Sequence, residues 1–206
     1  MVRRILIMCA ALGLSGSAAP AAVSYSFEAG QSTYNAAPGS LVQIPIYLKE
    51  TLTDGSTSQI DADGGMYSFG ITVDLTSGGG QIQNLVGNPQ FDDRNGGTTS
   101  FPADPATLWA DQDGLLFGTG VDRDATTGRV LLATLSFLAP ASGSASLNIG
   151  DYPVTGDQTV SYAGRIFDAV TAPGNFTVNT AVPEPTGALL LLAPVAALLR
   201  RRPRGC

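Results

Sequence analysis

Histidine is absent from the 206-residue chain. Its absence excludes Ser-His-Asp and Cys-His catalysis, and zinc or haem held by imidazole. Cysteine is nearly absent: Cys9 and Cys206 stand close to the two ends. No disulfide can therefore form within the middle of the chain. Lysine occurs once, at Lys49, and tryptophan once, at Trp109. Charged residues make up only 14% of the sequence. No apolar run reaches the roughly 20 residues that span a bilayer comfortably. No repeat of 20–50 residues is visible, which argues against a propeller or solenoid. No stretch carries a convincing amphipathic helix.

What is there reads as strands and turns. The 25 glycines and 13 prolines are spread through a chain whose aromatic residues all lie between Tyr25 and Phe176. Val42, Ile44, Ile46 and Leu48 alternate with polar neighbours and predict a half-buried strand. Pro45 lacks a ladder donor, which predicts an edge position for that strand. Tyr67, Phe69, Ile71, Val73 and Leu75 form a second alternating set, and Leu131, Ala133, Leu135 and Phe137 a third. Ala145, Leu147 and Ile149 repeat the pattern. Turn clusters such as Pro38-Gly39-Ser40, Gly78-Gly79-Gly80 and Ser142-Gly143-Ser144 separate them. The expectation is an all-β domain over residues 23–181: one β-sandwich of jelly-roll type with about nine strands. A signal helix over 1–22 and a hydrophobic helix within 182–206 would flank it.

The formal charge of −6 conceals a segregation. Arg3 and Arg4 open the chain, and Arg200, Arg201, Arg202 and Arg204 close it. The middle keeps only Lys49, Arg94, Arg123, Arg129 and Arg165 against 16 acids, a balance of −11. Such a surface repels nucleic acid and attracts cations. Asp61-Ala62-Asp63-Gly64 looks like a fragment of a calcium loop, and Asp111, Asp113, Asp122 and Asp124 are candidates to converge on one calcium ion. The plainer reading is aspartate at turns, bonding its own backbone. Trp109 is a candidate sugar-stacking platform, set against a partly buried core position. Paired carboxylates could hydrolyse glycosides, but aspartates this plentiful single out no pair. About 160 residues also leave little room for a deep cleft. We expect no catalytic activity. Asn175-Phe176-Thr177 fits a glycosylation sequon and reads here as strand chemistry.

Both ends carry addresses. Arg3 and Arg4, the apolar run 5–14 and Ala19-Pro20-Ala21 make a secretory signal peptide, cleaved after Ala21 or Ala22. At the other end Pro183-Glu184-Pro185 precedes an apolar run over 187–199 and then Arg200-Arg201-Arg202. Thirteen residues make about 20 Å of helix, short of a hydrocarbon core of ~30 Å. Pro194 weakens it further. The arginines should stay cytoplasmic. Segment 182–202 resembles the PEP-CTERM sorting signal of Gram-negative bacteria. The resemblance implies recognition by an exosortase-type membrane enzyme, processing near Pro183, Glu184 and Pro185, and delivery to the cell surface or to exopolysaccharide. The secretion machinery and a transient membrane contact through the tail are implied with it.

In the middle, Ala37-Pro38-Gly39-Ser40 leads into the strand 42–48. Strands at 67–75, 128–137 and 143–149 follow. This order resembles cohesin domains, which share a sandwich with some carbohydrate-binding modules. It implies the fold and transfers no partner-binding residue. The expected function is thus an exported structural or adhesive protein of the surface or exopolysaccharide matrix. The alternative is a carbohydrate- or protein-binding module, calcium-dependent in one version.

Overall fold

The computed structural model describes residues 23–53, 55–91, 104–112, 120–153 and 158–180. The expected sandwich is present. Its strands are β1 (Val23–Ala29), β2 (Thr33–Ala36), β3 (Leu41–Leu52), β4 (Met66–Gly78), β5 (Gln81–Gly87), β6 (Ala106–Asp111), β7 (Arg129–Leu138), β8 (Gly143–Asp151), β9 (Val160–Ser161), β10 (Thr171–Ala172) and β11 (Gly174–Thr180). Nine have four residues or more, and β9 and β10 have two each. One sheet has the order β10-β1-β3-β7-β5, the other β2-β11-β8-β4-β6 with β9 beside β4. A single helical turn, α1 (Gln59–Ala62), joins β3 to β4.

Alternation builds the core. Phe27, Ile44, Ile46, Leu48, Leu135 and Phe137 point inward from the first sheet. Phe69, Ile71, Val73, Leu147, Ile149 and Val178 meet them from the second, in one continuous cluster. Each buried side chain of this size adds roughly 1.5–3 kcal/mol.

Three expectations change. Pro45 lies in β3, which is an interior strand between β1 and β7. It is tolerated because β1 ends its pairing at Ala29, opposite Ile46. One residue further on, the Gly30 N–H donates to the Pro45 carbonyl at 2.8 Å. The bond that Pro45 cannot return is the last one on that side, where the neighbouring strand is already leaving. The alternation in β7 also slips. The register shifts between Ile46 and Tyr47, so Leu131 pairs with Tyr47 on the outer face while Val130, Leu132 and Ala133 are buried. A bulge of this kind reverses the phase of every residue before it. A similar shift in β4 buries Met66 and leaves Tyr67 half-exposed.

The first and last strands cross between sheets together. β1 pairs in parallel with β10, and β2 in parallel with β11. The chain passes from one sheet to the other between Ala29 and Thr33 and again at Pro173, just before Gly174. A Cβ at Gly174 would run into the Phe27 carbonyl oxygen. Val23 lies beside Leu52 at one end of the sandwich, and Thr180 lies beside Gly143 and Ala36 at the other. The first and the last described residues therefore lie at opposite ends of the sandwich. Among the described residues no helix is long and apolar enough to cross a membrane. Both expected flanking helices lie outside those residues.

Candidate functional site

Charge is concentrated at the end where β1 begins. Glu50 projects inward from β3 and its side chain is fully buried. One of its oxygens accepts the backbone N–H groups of Gln59 at 2.7 Å and Ile60 at 3.3 Å, and the Tyr25 hydroxyl at 3.3 Å. It thus caps the start of α1 from a remote strand. The other oxygen faces Arg123 Nε at 3.2 Å. The same guanidinium reaches Ser58 Oγ at 2.8 Å and Asp61 Oδ2 at 2.7 Å. Burial, and then the Glu50 carboxylate, hold the Tyr25 phenol well above its ordinary value. A phenol that stays protonated remains a donor to Glu50.

A second arginine finishes the cluster. Arg165 donates to both oxygens of Asp63, at 2.6 and 3.2 Å, and Ser161 Oγ adds a third bond at 2.9 Å. The hydrogen bonds from Arg165 pull the Asp63 carboxyl below its usual range, and Ser161 adds to the effect. Asp61 and Asp63 looked like part of a calcium loop. In the fold Ser58 caps α1 through the Asp61 N–H, Asp63 closes it, and arginine supplies the cation for each carboxylate.

The four aspartates proposed for calcium are only partly brought together. Asp122 and Asp124 are exposed and line one cleft of about 330 Å³ with Tyr47, Thr127 and Arg129. Asp124 Oδ1 accepts from the Thr126 and Thr127 N–H groups and the Thr127 hydroxyl, at 2.7–3.0 Å. These bonds hold its carboxyl below the usual range, as expected for aspartate organising its own turn. Asp111 ends β6 opposite Ser68, in the other sheet. Asp113 lies outside the described residues. Among those residues no three carboxylates are placed to hold a metal ion. Trp109 is half-buried and sits on the outward side of β6 opposite Gly70; Ala106, Leu108 and Ala110 take the core positions.

On the outer face of β1-β3-β7, Glu28 stands between two cations. Lys49 Nζ lies 3.0 Å from one oxygen and Arg129 Nη2 2.7 Å from the other. The Arg129 guanidinium also lies over the Tyr47 ring, 5.3 Å from its centre, a cation–π arrangement. Glu28, Lys49 and Arg129 line an open cleft of about 500 Å³ at the crossing where β1 passes to β2. A third cleft, of about 390 Å³, holds Tyr25, Arg165 and the exposed Ile166 and Val170.

No family model and no curated protein matches the chain. A solved structure similar to it is the sixth cohesin from scaffoldin B of Acetivibrio cellulolyticus, in complex with a Cel5 dockerin mutant. The identity is 18%, over 77% of this chain and 99% of that one, with a TM-score of 0.41. The β-sandwich assignment rests on the strand order and pairing described above.

The outer face of β2-β11-β8 has a different chemistry. The register sets Thr177 between Thr33 and Ser146, and Asn179 between Asn35 and Ser144. Asn175 pairs with Asn148. All of these side chains are exposed or half-exposed, on the side opposite the buried Phe176, Val178, Ala145 and Leu147. β2 and β11 contain no charged residue, and β8 none before its last, Asp151. The sequence carried a signal for this array: Thr-x-Asn occurs at 33–35 and again at 177–179. Only the parallel pairing of β2 with β11 makes that repeat a row of matched side chains.

Ala19, Ala21 and Ala22, the Pro183-Glu184-Pro185 motif and Arg200, Arg201 and Arg202 all lie outside the described residues.

Proposed function

We propose that the chain is an exported, non-catalytic β-sandwich protein of the cell surface or exopolysaccharide, delivered by its PEP-CTERM-like tail. The observation that carries this reading is the course of the chain. Thr180, the last described residue, lies at the end of the sandwich opposite to the ionic cluster. A tail held at a membrane would therefore present the α1 end, with Glu50, Arg123 and Arg165, outward. The carboxylates support a structural role, because Glu28 in one cleft is held by Lys49 and Arg129, and Asp124 in another by the N–H and hydroxyl groups of its own turn. An acid or base engaged in this way is poorly placed to exchange protons with a substrate.

A binding module is the second reading, and the uncharged array on β2-β11-β8 favours a carbohydrate ligand. The calcium-dependent version stands on Asp122 and Asp124, the pair that shares a cleft.

Intact mass of the protein from the surface and medium of its host tests delivery. We expect loss of residues 1–21 or 1–22 and of the stretch beyond about 183–185. Glu184→Ala should leave an unprocessed form in the membrane. Normal processing and release of that variant would overturn the sorting assignment.

A further inference from the structure

Resting on the matrix reading above, we propose that the outer face of β2-β11-β8 is a contact surface for a neutral polysaccharide. The domain over 23–181 carries 16 acids, yet none falls in β2, in β11 or in β8 before Asp151. The row Asn175-Asn148 ends at Asp74 of β4, which borders the patch; a patch of three strands without charge in so acidic a domain fits a ligand without charge. A polyanion would find no cation there and would meet repulsion from the surrounding carboxylates.

The side chains supply what a sugar polymer needs. Asn35 beside Asn179, Thr33 beside Thr177 and Asn175 beside Asn148 place amides and hydroxyls in rows. Neighbouring strands are ~4.8 Å apart, and alternate residues along a strand ~6.8 Å apart. Each amide or hydroxyl both donates and accepts, as sugar hydroxyls do. None of the six makes a side-chain hydrogen bond to another described residue, so their bonding capacity faces outward. A protein partner would look for aromatic or arginine anchors, and the outward positions of these three strands offer none. Each sugar contact is individually weak, so binding depends on many contacts along one polymer.

The test uses the full chain and two probes: the neutral and the acidic polysaccharide fractions of the host matrix, separated by anion exchange. Retardation in affinity electrophoresis should appear with the neutral fraction and be lost on its digestion to short oligosaccharides. Thr177→Lys and Asn148→Lys should each weaken it tenfold or more, while Thr177→Ser keeps it. Lys49→Gln, on the other sheet, should change it less than twofold. Circular dichroism of each variant separates loss of contact from loss of fold. Binding to neither fraction, binding to the acidic fraction alone, or retention unchanged in both folded lysine variants would overturn the proposal. A protein that is processed and kept in the matrix yet ignores the neutral fraction would sink this inference and leave the proposed function standing. A tail that is never processed would sink the sorting assignment whatever the electrophoresis shows.

Discussion

The two outer faces of the sandwich satisfy their polar groups in opposite ways. On β1-β3-β7 a carboxylate is shared by two cations, Lys49 and Arg129 at Glu28. Just inside the same sheet, Arg123 is shared by Glu50 and Asp61. On β2-β11-β8, hydroxyls and amides stand in rows with no ion pair among them. All four described cations of the domain, Lys49, Arg123, Arg129 and Arg165, are engaged with carboxylates. The difference teaches that an acidic chain with few cations can confine its charge pairing to one region. The other region is then free to meet an uncharged surface.

The comparison breaks most visibly at Arg123. Arg123→Ala leaves Glu50 buried without its cation, and losing one partner of a buried pair costs about 3–5 kcal/mol. Urea denaturation should show that loss. The double variant Arg123→Ala with Glu50→Gln should lose less than Arg123→Ala alone, because the buried charge has gone. Equal losses would mean that Glu50 is not charged in the folded protein.

The crossing that links the two faces is the next most sensitive point. Gly174→Ala drives a methyl group into the Phe27 carbonyl, an overpacking worth about 1–3 kcal/mol. Calorimetry should show a lowered melting temperature. An unchanged value would mean that β10 and β11 can separate from β1 without cost.

Two aspartates test the contrast through pH. The Asp63 carboxyl lies below the ordinary aspartate value of 3.8, chiefly because Arg165 bonds it. Its contribution is present above that value and is lost as pH falls through the lower folded value. Asp151, the acid that ends β8, is shifted upward by burial and then by the nearby Asp168. Its protonated form is the one the fold prefers, so its contribution is present below 3.8 and is lost as pH rises through the folded value. At pH 7, Asp63→Asn should therefore lower the melting temperature and Asp151→Asn raise it. Near pH 3 both differences should shrink. Shifts of the same sign at pH 7 would contradict the assignment.

The smallest effect is expected on the uncharged face. Thr177→Lys should change stability by no more than about 0.5 kcal/mol, even where it abolishes glycan contact. Glu28→Gln on the opposite face should cost up to about 1 kcal/mol and less at high salt. A larger loss from Thr177→Lys would mean that the face holds the sandwich together.

Alternation along 42–48, 69–75 and 143–149 was enough to read the sandwich from the sequence, because a half-buried strand must repeat every two residues. It failed where a bulge intervenes: nothing in Leu131-Leu132-Ala133 shows which leucine turns outward. Pro45 misled for a related reason. A proline's cost depends on whether a neighbouring strand is present to receive its missing bond, and β1 leaves at Gly30. Asp61 and Asp63 carried a metal-like spacing, but Arg123 and Arg165, about 60 and 100 residues away in sequence, answer them. Glu50 gave no signal at all, since its partners come from α1 and from the turn before β7. By itself the sequence determined the strand periodicity and the acidic middle with its few cations, because composition and local pattern are properties of neighbouring residues. Which carboxylates are paired, which strands lie side by side, and that two Thr-x-Asn segments form one uncharged face were decided by the tertiary structure, because each needs residues far apart in the chain to meet.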